Sequence, residues 1–173
     1  MAHELYTRTN QKIFFAGLAL ENLRKAEAGE AVNAQALVQA EREAALFHLY
    51  GAVLGLCHEV AGYYKLAGAG APRVDMLLSQ SVLQASPTPE LGELLELAGQ
   101  PESWLACLLS SYERLFQPPQ APKTAKVDPT LPLISAVSVD DDEPAVLMHA
   151  ELEGWRQQLK KLVLRYRESL SEC

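Results

Sequence analysis

Residues 44–64 constrain the fold more than any other part of the chain. The run AALFHLYGAVLGLCHEVAGYY is apolar on nearly every side of a helix. A helix of that kind is surrounded on most sides, so it belongs at the centre of a packed assembly. The helical pattern around it runs from about residue 33 to about 66, where Gly68, Gly70 and Pro72 stop it. One face reads His48, Gly51, Gly55, His58 and Gly62, at spacings of three and four. Glycine inside a helix costs up to about 1 kcal/mol against alanine, so the stripe implies close approach of another helix or room for a bulky ligand. The opposite face carries Leu46, Tyr50, Val53, Cys57, Val60 and Tyr64.

The remaining elements are read around that helix. Leu, Ala, Glu and Gln dominate, and these are strong helix formers. Isoleucine occurs only at Ile13 and Ile134, which disfavours a large sheet. A first helix is expected over about 3–28, with Ile13, Gly17, Leu20 and Leu23 inward, Phe14 and Leu18 widening that face, and Gly29 as its cap. A modest helix is expected over 73–84. Thr88 then reads as an N-cap and Pro89 as the first position of a helix ending near Ala98. A further amphipathic helix is expected over 102–116, and a last one from about Asp142 to Ser171 with Leu152, Trp155, Leu159, Leu162, Tyr166 and Leu170 inward. Between these two, residues 117–139 are proline-rich and then strand-like, and read as an extended arm. The expected fold is all-α: a single domain over 1–173, an antiparallel four-helix-type bundle with a broken middle layer.

The formal net charge is −7, which argues against broad binding to nucleic-acid backbones. Cys57, Cys107 and Cys173 show no metal-type spacing and suit a reducing, cytoplasmic compartment. Residues 13–20 resemble a signal core but are short and lack a cleavage site, and no apolar run reads as a membrane span. No metal, cofactor or phosphate-loop motif is expected, and no nucleophile elbow is present.

Five features carry candidate chemistry. His48 and His58 are ten residues apart, about 15 Å along a helix axis, so they cannot share one ion. Arg156, Lys160 and Arg167, with Lys161 and Arg165, form a basic strip that could meet a phosphate or an acidic partner, or be solvated and paired with Glu153 and Glu168. Asp140 to Glu143 read as acids capping the last helix. The arm over 117–139 either docks on a partner or completes the bundle's surface. Arg42 precedes His48 by six positions, and this spacing resembles the arginine–histidine signature of the HEPN ribonuclease superfamily, itself helical. The resemblance implies Arg42 and His48 as an RNA-cleaving pair across a dimer. Glu43 stands where that signature usually has a polar residue, and Ala44 to Phe47 complete the motif.

The phrase AHELYTRTNQKIFFAGLALENL at residues 2–23 resembles the start of an uncharacterised bacterial family of small proteins, a domain of unknown function. The resemblance implies a bacterial, cytosolic protein and no chemistry. With no catalytic constellation, the expected function is a non-enzymatic helical interaction or scaffold protein that binds a protein partner or itself. The alternatives are a HEPN-like ribonuclease and a carrier of an apolar ligand entering through Gly51, Gly55 and Gly62, with Gly51, Gly55, His48, His58, Arg156, Lys160 and Arg167 as candidate binding residues.

Overall fold

A computed structural model describes residues 2–118 and 146–171. Among them are six α-helices and no strand: α1 (Ala2–Glu27), α2 (Ala34–Tyr63), α3 (Gln80–Ala85), α4 (Pro89–Ala98), α5 (Trp104–Arg114) and α6 (His149–Ser171). A 3-10 turn, Val74–Met76, precedes α3. The described residues are all-helical, and their helices pack as a bundle. The expected arm over 117–139 and the acids Asp140 to Glu143 fall almost wholly outside the described residues, as does the start of the last helix expected near Asp142.

α2 is central. It packs against α1 along most of their length and also meets α6, α5, α4 and the 3-10 turn. Ala45, Leu49, Ala52, Val53, Leu56, Cys57, Val60 and Ala61 are all fully buried. By length and composition α2 is apolar enough to cross a membrane, which corrects the expectation that no run reaches a span. The same composition follows from its position, because 61% of its most apolar stretch is buried against other helices.

The short link between α1 and α2 makes them an antiparallel pair. Their close approach uses the glycine stripe. A Cβ on Gly55 would lie 2.6 Å from Thr9 Oγ1 and 3.3 Å from Thr9 Cα, and one on Gly62 would lie 3.2 Å from Leu5. At Gly51 the stem of Lys12 fills the space, 3.1 Å from where a Cβ would sit. The groove expected as an entrance for an apolar ligand is therefore closed by α1 itself.

Phe14 and Leu18 do not widen the core face of α1; they are 62% and 44% exposed. Ile13, Ala16, Leu20 and Leu23 make the buried stripe instead. α6 buries the six residues read for it, together with Val163. The region expected as one helix over 73–84 is broken: Ser79 caps α3, its Oγ accepting from the Val82 N–H at 3.4 Å. Thr88 sits at the N-cap of α4 with extended backbone, but its hydroxyl donates to Ser86 O at 2.9 Å rather than accepting from the helix. Gly29 keeps negative φ, so it is not a left-handed cap.

Candidate functional site

A concavity lies where the middle layer meets α2. Its volume is about 470 Å³. α2 supplies Tyr50, α5 supplies Tyr112 and Glu113, and Phe116 follows one turn later. Arg73, Val74 and Asp75 close the other side from the turn after α2.

Local structure holds these groups in place. The Tyr50 hydroxyl accepts the Val74 N–H at 3.1 Å, which ties the 3-10 turn to α2. The ring nitrogen Nε2 of His58 lies 2.7 Å from Ala71 O and pins the chain just before the groove. Ser103 starts α5: its Oγ accepts from the Ala106 N–H at 3.0 Å and donates to Leu97 O. The rings of Tyr50 and Tyr112 stack with centroids 3.7 Å apart and planes 7° from parallel. Phe116 packs edge-on against Tyr112 at 5.2 Å and stays 71% exposed. Burial, then the neighbouring Tyr50, raises the pKa of Tyr112, so its phenol stays protonated at neutral pH. At the rim Arg73 and Asp75 form a two-point ion pair, with Glu113 near the same guanidinium. Counting Arg73 as +1 and the two acids as −2 leaves the rim at −1. The arrangement is an aromatic platform with a mildly acidic edge.

The residues singled out from the sequence are dispersed. Arg42 and His48 lie about 9 Å apart along α2 and about 120° apart around it, so one chain does not converge them. His48 packs edge-on against Phe15 and Phe47, each with centroids 5.4 Å away. Arg42 Nε and His48 Nδ1 are buried without a hydrogen-bond partner among the described residues.

The basic strip of α6 is largely neutralised. Arg156 pairs with Glu153 at 2.8 Å and lies across Gly17; Arg165 pairs with Glu93. Arg167 makes a two-point bond to Glu59 at 2.9 and 2.8 Å rather than pairing with Glu168, and also donates to Asn10 Oδ1 at 3.0 Å. The ring of Tyr6 lies 4.5 Å from the guanidinium carbon. Around Glu59 and Tyr6 the structure thus shows a sealed ion pair joining α1, α2 and α6. Lys160 and Lys161 remain exposed, and Lys160 edges a shallower groove of about 300 Å³ with Phe14 and Leu164. Cys57 is fully buried, which pushes its thiol pKa up to about 12 and makes it inert.

A family model spans residues 1–173. The chain belongs to DUF6586, a family of unknown function. No curated protein and no solved structure matches it. For this DUF6586 chain the geometry is therefore the guide to function. The sequence reading missed the groove because stacking of Tyr50 on Tyr112 is a pairing between distant helices. The available signal was the tyrosine on the face of α2 opposite the glycines, with Tyr112 in the last turn of α5 and Phe116 four residues further on.

Proposed function

We propose that this protein is a non-enzymatic, cytoplasmic interaction module that binds an extended, proline-containing, lysine-bearing segment of a polypeptide in the Tyr50–Tyr112 groove. The stacked tyrosines with exposed Phe116 at their edge carry the reading. Proline-rich segments adopt polyproline II, an already ordered conformation, and dock in aromatic-lined grooves at low entropic cost. Lysine on such a segment complements the acidic edge of Asp75 and Glu113. The chain's own sequence supplies a segment of this chemistry directly after Phe116: QPPQAPKTAK, residues 117–126. The free thiols of Cys57 and Cys107 are in keeping with a reducing compartment.

The test is a titration of a synthetic QPPQAPKTAK peptide into full-length protein carrying Pro118→Ala, Pro119→Ala and Pro122→Ala, which removes competition from its own segment. Saturable shifts of the Tyr112 and Phe116 resonances are expected, and a peptide with the three prolines replaced should not produce them. An unresponsive groove would count against the reading.

A second reading keeps Arg42 and His48 as an RNA-cleaving pair. It is favoured by one observation: the buried nitrogens lacking partners fall on these two residues. Because the two diverge on α2, a second copy would have to complete the site. His48→Ala should then abolish RNA cleavage with an unchanged helical signal; persistent cleavage removes this reading.

A further inference from the structure

Lys12 is buried to 9% exposure, yet among the described residues no carboxylate pairs with it. An ammonium drawn partly out of water normally has a partner, because desolvating an unpaired charge is costly. Here the stem of Lys12 lies in the notch left by Gly51, and its ammonium sits over the ring of Phe47, 4.8 Å from the centroid. The ring's negative face compensates the charge only in part. Arg8 lies one turn earlier on the same side of α1, and like charges at that spacing destabilise a helix. His48 stands beside Phe47 with Nδ1 buried and unpartnered among the described residues. Two cations and an imidazole therefore share one corner of the α1–α2 seam, in a chain whose net charge is −7.

We propose that Arg8, Lys12 and His48 form a binding site for a small phosphate, free or as a monoester. An oxyanion there would neutralise Lys12, offset the repulsion between Lys12 and Arg8, and accept the imidazole N–H. A tetrahedral phosphate suits donors arriving from two helices, because its oxygens point in separate directions. This site lies on the α1 side of α2, whereas the tyrosine groove uses Tyr50 on the opposite face, so the inference is independent of the interaction reading. Its overlap with the second reading is limited to His48 and involves no cleavage.

The test uses the full-length chain at neutral pH and constant ionic strength, exchanging sodium chloride for sodium phosphate and, in a second arm, for glycerol phosphate. His48 and Lys12 side-chain resonances report binding. A saturating shift in either arm is expected, and the two arms show whether an esterified phosphate fits. Lys12→Met keeps the stem on Gly51 and removes the charge, and should weaken binding at least about tenfold. Arg8→Gln, at an exposed position outside the core, should weaken it severalfold and guards against a folding defect in the first variant. No saturating shift with either ligand, or undiminished binding in the Lys12→Met, Arg8→Gln double variant, overturns the proposal.

Discussion

Gly55 and Gly154 both interrupt helices with a residue that costs up to about 1 kcal/mol against alanine, but their surroundings differ. A Cβ at Gly55 meets Thr9, including its backbone, whereas nothing lies within 4 Å of one at Gly154. Gly55→Ala should therefore destabilise by about 1–3 kcal/mol through overpacking, and Gly154→Ala should stabilise by up to about 1 kcal/mol. Denaturant unfolding of both variants checks the contrast; equal effects would contradict the closeness of α1 and α2. At His48, burial followed by the charges of Lys12 and Arg8 holds the pKa below its ordinary 6.5. The unfolded chain then binds the proton more readily than the folded one. Stability tied to neutral His48 is present above pH 6.5 and is lost as the pH falls below it toward the folded value. Measured in phosphate-free chloride buffer, His48→Gln should lose less stability than the native chain between about pH 7.5 and 5.5. At the Glu59–Arg167 pair, removing the guanidinium alone strands a carboxylate whose side chain is 1% exposed. Arg167→Ala should cost about 3–5 kcal/mol, and replacing both partners by apolar residues should recover most of it. A double-mutant cycle reads the difference.

At the scale of elements, α5 is the one whose integrity matters most for the groove, because it carries Tyr112 and leads to Phe116. Its N-terminus depends on Ser103, whose hydroxyl serves Ala106 and Leu97 together. Ser103→Ala should lower stability by about 1 kcal/mol, while Thr88→Ala should show no capping loss, since Thr88 makes no cap bond to α4. The long helices were legible in the sequence because each has its own periodicity: the all-round apolar run of α2 and the 152–170 stripe of α6 needed no partner to be read. The break between Val74 and Gln80 was not, since both halves are apolar and short, and the loop owes its path to the Tyr50–Val74 and His58–Ala71 bonds from α2. Phe14 and Leu18 were misassigned because, among the described residues, α1 packs mainly on α2 and α6, which buries a narrower stripe than periodicity suggests. Arg167 was placed on a basic strip because its true partner, Glu59, lies on another helix.

Across the whole molecule, one continuous core holds the helices together around α2. Two distinct surfaces flank that helix: the tyrosine groove on one face and the Arg8, Lys12 and His48 corner on the other. The groove gives the protein its proposed role. Residues 117–126, QPPQAPKTAK, follow Phe116 directly in the sequence. On the proposed reading this segment, from the same chain or from a second copy, is a candidate ligand for the groove. Zero-length carbodiimide coupling of the native full-length protein tests this directly, because it joins an amine to a carboxylate only when the two are in contact. The expected result is linkage of Lys123 or Lys126 to Asp75 or Glu113 that disappears in Tyr112→Ala. Linkage that avoids those two acids, or that persists undiminished without the Tyr112 ring, would contradict the groove as the protein's binding surface.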